Sequence, residues 1–101
     1  MKTTINETED KYLVTFEGEL DTTAAAEVND TLQPLYTAKG KDVDIDCTRL
    51  EYIASSGLRI LVKIVKAAKA TGSRVVLHGV NDDIQDVFKM TGFISLFDIE
   101  D

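Results

Sequence analysis

The chain has 101 residues, 44% hydrophobic and 29% charged, with 18 Asp and Glu against 11 Lys and Arg for a formal charge of −7. That is one domain with enough apolar mass for its own core, and its negative surface opposes nucleic acid and anionic lipid as partners. The single cysteine, Cys47, excludes an internal disulfide and a cysteine-rich metal site, and fits a reducing, cytosolic compartment; no apolar run suits a bilayer span or a signal core.

The first segment, TTINET, reads as a short edge strand. KYLVTFEG alternates Tyr12, Val14 and Phe16 against Leu13, Thr15 and Glu17, which is strand periodicity. Gly18 reads as the opening of a turn, and Asp21, Thr22 and Thr23 offer N-caps for a helix carrying Ala25, Val28, Leu32 and Leu35. Pro34 should kink or end that helix, and Gly40 closes the segment. DVDIDC alternates again, with Val43, Ile45 and Cys47 on one face and Asp42, Asp44 and Asp46 on the other. Three carboxylates in a row could suggest a cation site; they read instead as the solvated face or polar end of a strand.

SSGLRILVKIVKAAKATG predicts a helix. Leu58, Leu61, Val62, Val65 and Ala68 form its apolar stripe, widened by Ile60 and Ile64, with Arg59, Lys63, Lys66 and Lys69 opposite. Gly72 stops it. RVVLHGV predicts a buried strand holding the one histidine, His78, which reads as structural. NDDIQDVFKMTG is a helix capped by Asn81 and stopped by Gly92, with Ile84, Val87, Phe88 and Thr91 facing inward. ISLFDI is a short final strand or turn. The order β-β-α-β-α-β-α-β implies an α/β domain, a mixed and mostly parallel sheet of four to five strands with helices packed on it. Its working edge lies at the carboxyl ends of the strands. GELDTT and IASSG both arrive there.

IASSG places two hydroxyls, Ser55 and Ser56, where a helix begins. Catalysis is poorly supported. The G-x-S-x-G elbow is absent, no phosphate-cradling or dinucleotide glycine motif is present, and His78 has no metal-binding companion. One reading is helix capping by Ser55 or Ser56. Another is phosphorylation. A phosphate adds about −1.5 to −2 charge, which the dipole and free amides of a helix start favour, so the fold is kept and the partner changes. Gly57, without a side chain, would let another molecule approach the backbone.

FEGELDTTAAAEV, followed by the run from DVDIDC to KMTGF, resembles the STAS domain family, in particular bacterial anti-sigma factor antagonists, over about residues 5 to 98 of a single domain, 1–101. The resemblance rests on G-E-L-D at Gly18, Glu19, Leu20 and Asp21 and on the serine–glycine motif at Ser55, Ser56 and Gly57. It implies a protein that is substrate and switch, not enzyme, and that needs no cofactor. An anti-sigma factor serine kinase would phosphorylate Ser55, with Ser56 the lesser candidate. The unphosphorylated form would bind that kinase and free a sigma factor for transcription, and a PP2C-type phosphatase would reset it. Asp21, Ser55, Ser56 and Gly57 would form the docking edge, with Asp46 at the end of its strand facing it too; Asp21 reads equally as an N-cap. The family places Asp just before the phosphoacceptor, where this chain has Ala54. The alternative is a STAS interaction module that is never phosphorylated.

Overall fold

The computed structural model describes residues 1–36 and 40–100. Strands β1 (Lys2–Glu7) and β2 (Lys11–Leu20) lead into helices α1 (Thr22–Thr31) and α2 (Gln33–Tyr36). Strand β3 (Asp42–Ile53), helix α3 (Ser55–Ala70), strand β4 (Val75–His78) and helix α4 (Asp82–Thr91) follow. A 3-10 turn at Ile94–Leu96 and strand β5 (Asp98–Glu100) complete the chain. The sheet runs in the order β1-β2-β3-β4-β5; β1 is antiparallel to β2 and the other pairs are parallel.

This order has a direct consequence. Each parallel strand is added on the same side of the last, and such crossovers are almost always right-handed, so the connecting helices gather on one face. The burial pattern agrees. Tyr12, Val14, Phe16, Val43, Ile45, Cys47, Val75 and Leu77 are buried beneath the helices. Their alternate neighbours in β2 and β3 face outward, and Leu13 is 38% exposed, whereas Val76 on that face of β4 is buried. The alternation expected for β2 and for the start of β3 is therefore present, and the acidic row is the solvated face. No helix among the described residues is long and apolar enough to cross a membrane.

Several boundaries differ from the sequence reading. Gly18 does not open a turn; it lies inside β2 with φ of 104°, where the pairing with β3 shifts register. A bulge uses glycine's freedom there and lets β2 continue to Leu20. Likewise β3 extends to Ile53, with Cys47, Leu50 and Ile53 buried three residues apart. That spacing breaks strict alternation and hides the second half of the strand. Asp46 is thus mid-strand, opposite His78, not at the strand's end. Pro34 follows the break after α1, inside the separate short helix α2. Thr91 is exposed; its hydroxyl donates to the carbonyls of Val87 and Phe88. The last segment is both a turn and a strand.

Helix α3 carries the core. Leu58, Ile60, Leu61, Val62, Ile64, Val65 and Ala68 are all buried. Truncating Leu61 to Ala is expected to cost about 2–5 kcal/mol in urea unfolding, because the 1%-exposed side chain leaves a cavity.

Candidate functional site

The two segments singled out at the sheet edge are fastened together. Leu20, the last residue of β2, pairs with Ile53, the last of β3. The Ala54 N–H then donates to the Leu20 carbonyl at 2.9 Å. Asp21 leaves one strand and Ser55 opens the helix after the other, so both sit on the carboxyl edge of the sheet. Gly57 closes the junction from the helix side. A Cβ there would stand 2.5 Å from Leu20 Cγ and 3.0 Å from its carbonyl oxygen. Gly57 is buried, so it makes room for Leu20 and not for an outside molecule, which corrects the sequence expectation.

Asp21 is the N-cap of α1, its Oδ1 accepting from the Ala24 N–H at 2.8 Å. It also borders a hollow of about 330 Å³ shared with Met1, Thr3, Glu19 and Glu27. Capping by a serine, in contrast, is not what α3 uses. Its N-cap is Ala54, with no side-chain hydrogen bond, and the serines occupy the first turn. The amide groups of that turn lack the acceptor that Ser, Thr, Asp or Asn would supply. Ser55 is exposed, whereas the Ser56 hydroxyl is sealed and has no hydrogen-bond partner among the described residues. Of the two serines, Ser55 is the one open to solvent. Tyr52, which sequence reading passed over, stands 50% exposed beside the same edge, paired across the sheet with Glu19. Only the register of β3 reveals that Ile53 points inward and Tyr52 outward.

Among the described residues no hydrogen bond ties a base to Ser55. His78 lies at mid-sheet on the open face, 37% exposed and not buried, with Nε2 3.4 Å from Asp44 Oδ1. Burial of Asp44 opposes its ionisation, but hydrogen bonds from Lys11 and His78 outweigh that and hold its carboxyl below the usual range. Lys11 Nζ reaches Asp44 Oδ2 at 2.9 Å. Asp46 is held low by hydrogen bonds from the Thr48 hydroxyl and amide. These carboxylates are occupied in holding the open face, remote from the edge, which removes Asp46 from the docking set. Burial pushes the Cys47 thiol up to about 12, which keeps it protonated and unreactive.

Comparison with known proteins follows the same lines. The family model described as the STAS domain matches residues 2–101. The anti-sigma-B factor antagonist of Staphylococcus aureus is 30% identical over 95 residues, covering 93% of this chain and 88% of that protein. Its Listeria monocytogenes counterpart is 30% identical over 83 residues, 82% of this chain and 73% of that one. The solved structure of the anti-sigma factor antagonist SpoIIAA in its unphosphorylated form superposes with a TM-score of 0.78 at 17% identity, covering 99% of this chain and 88% of that one. The phosphorylated form of SpoIIAA, a Bacillus cell fate determinant, gives 0.75. At that identity the likeness concerns the fold.

Three measurements probe this geometry. Ala54→Asp supplies the missing acceptor and is expected to raise stability by about 0.5–2 kcal/mol in urea unfolding. Gly57→Ala is expected to lower it by about 1–3 kcal/mol, because Leu20 and its carbonyl must shift. The depressed carboxyls of Asp44 and Asp46 contribute stability above the unfolded value of about 3.9, lost as pH falls through their lower folded values. Urea midpoints measured from about pH 5 to pH 2 should therefore decline, and Asp44→Asn should flatten the decline.

Proposed function

We propose, since this chain belongs to the STAS domain family, that it is an anti-sigma factor antagonist whose docking edge is switched by a phosphate on Ser55. The relatives named above supply the class of partner, an anti-sigma factor. The observation that carries the switch is the combination at the start of α3: an exposed Ser55 above first-turn amides that no side chain caps.

A phosphate on Ser55 adds about −1.5 to −2 charge and three strong acceptors. Placed over the first turn, it is favoured by the helix dipole and by the free N–H groups. Ala54 helps, because no carboxylate at the N-cap or in the first turn competes for those amides. The interior is untouched, since Leu58 and Leu61 point away beneath the helix. What changes is the surface that a partner meets, formed by Ser55, Tyr52 and the partly exposed Asp21. The unphosphorylated chain binds the anti-sigma factor through this edge and releases the sigma factor. The anti-sigma factor, acting as a serine kinase, phosphorylates Ser55 and ends the complex, and a PP2C-type phosphatase restores it. ATP and magnesium belong to the kinase. This cycle runs in the cytoplasm, and the chain serves in it as a substrate without an activity of its own.

The second reading, a STAS docking module that is never phosphorylated, draws on Ala54, which lacks the carboxylate that the family pattern places before the phosphoacceptor. Intact mass of the protein from its native cell separates the two: a phosphate mapping to Ser55 is expected, and its absence under every growth condition favours the module. Ser55→Asp is expected to weaken binding to the anti-sigma factor at least about tenfold, about 1.4 kcal/mol, while the thermal midpoint barely moves. Ser55→Ala should bind without release and resist labelling. Labelling that persists and maps to Ser56 would overturn the assignment.

A further inference from the structure

The cations of this acidic chain are distributed unevenly. Outside α3 most are tied down: Lys2 and Arg49 on Glu17, Lys11 on Asp44, Lys41 on Glu7, and Arg74 on Asp98. Helix α3 carries Arg59, Lys63, Lys66 and Lys69 and not one Asp or Glu. All four are exposed, and among the described residues none forms an ion pair. Lys63 Nζ stands 4.1 Å from the centre of the Tyr36 ring instead. Steps of three and four residues make these charges helix neighbours, which repel one another. A chain of net charge −7 has carboxylates in abundance, yet among the described residues none pairs with this stripe.

The stripe has an order. At 3.6 residues per turn, Ser55, Arg59, Val62, Lys66 and Lys69 fall within an arc of about 80°, with Ser55 at its head. Beside it a groove of about 410 Å³ opens between α3 and the chain that follows α4. Val62, Phe93 and Leu96 line its floor, and Arg59, Lys63 and Lys66 rim it. Phe93 and Leu96 are only partly buried.

We infer that this groove is the docking track for an acidic, amphipathic helical segment of a protein partner, whose apolar face meets Val62, Phe93 and Leu96 while its carboxylates meet Arg59, Lys63 and Lys66. Charge complementarity selects the occupant: the rim is cationic and unpaired, and the floor is apolar, so the segment needs both features at helical spacing. Nucleic acid and anionic bilayers satisfy the rim alone, and the net negative charge of the chain opposes both. The identity of the partner as the anti-sigma factor, and the switch that follows, rest on the function proposed above. Arg59 lies one turn from Ser55 on the same face, so a phosphate there takes its guanidinium in a charge-assisted hydrogen bond. The incoming segment then loses its first cation and meets a like charge in its place.

The test titrates the 15N-labelled full chain with a helical peptide of about 15 residues, Glu on one face and Leu and Phe on the other. A scrambled peptide of the same composition is the control. Resonance shifts are expected along the outer face of α3 and at Phe93 and Leu96. Affinity should fall at least about tenfold in Lys66→Glu and in Arg59→Glu, variants on exposed positions whose folding is checked by circular dichroism. Ser55→Asp should weaken the same peptide severalfold. Equal binding of the scrambled peptide, shifts confined to other surfaces, or unchanged affinity in both charge reversals would overturn the inference. So would tighter binding of duplex DNA or phosphatidylglycerol vesicles than of the peptide. Failure to find phosphate on Ser55 in the native cell counts against the proposed switch and leaves the peptide result standing, so the two failures are distinct.

Discussion

One short junction governs the rest of this molecule: the hydrogen bond from the Ala54 amide to the Leu20 carbonyl, with Gly57 pressed against Leu20 from above. It joins the exits of β2 and β3, so that two segments separated by more than thirty residues in sequence become one edge. Leu20 is fully buried, which anchors the junction in the core. The exposed groups that matter, Asp21 on one exit and Ser55 on the other, inherit its rigidity. Under the proposed switch, a surface held this way would gain or lose a phosphate without the change passing inward.

Topology sets this edge apart from the ligand-binding edge of a doubly wound sheet. In doubly wound sheets the strand order reverses, and the reversal opens a crevice at the strand ends. Here the strands follow in sequence order across the sheet, so there is no reversal and no switch-point crevice; the hollow beside Asp21 lies against α1 instead. One face of the sheet remains in solvent, and cross-strand pairs such as Lys11–Asp44 and Arg74–Asp98 hold it. Exposed ion pairs of this kind stabilise little individually, but together they neutralise charges that would otherwise crowd the strands.

Electrostatics divide the surface into two regions. The open sheet face is carboxylate-rich and internally paired, while the outer face of α3 is cationic and, among the described residues, without an ion pair. Ser55 stands at the boundary where the cationic face begins. A phosphate at that point alters the field at the head of the stripe more than anywhere else, since screening confines its reach to about 8–10 Å at cellular ionic strength.

Much of this was legible in the chain itself. Alternation in KYLVTF and DVDIDC, the apolar stripe of α3, and the caps at Asp21 and Asn81 each depend on neighbours a few residues away, so local sequence determined them. The class of fold, the edge where GELD meets the serines, and the STAS resemblance followed from that order. Other features depended on contacts between distant residues and were decided only by the tertiary structure. The bulge at Gly18 and the long reach of β3 exist because two strands must stay paired while their registers slip, and this moved Asp46 away from the edge. Gly57 serves Leu20, a partner that no local pattern could name. Ser55 and Ser56 are chemically identical neighbours; α3 leaves one residue in solvent and seals the hydroxyl of the other, and that rotation, set by how α3 packs on the sheet, decides which of them is accessible.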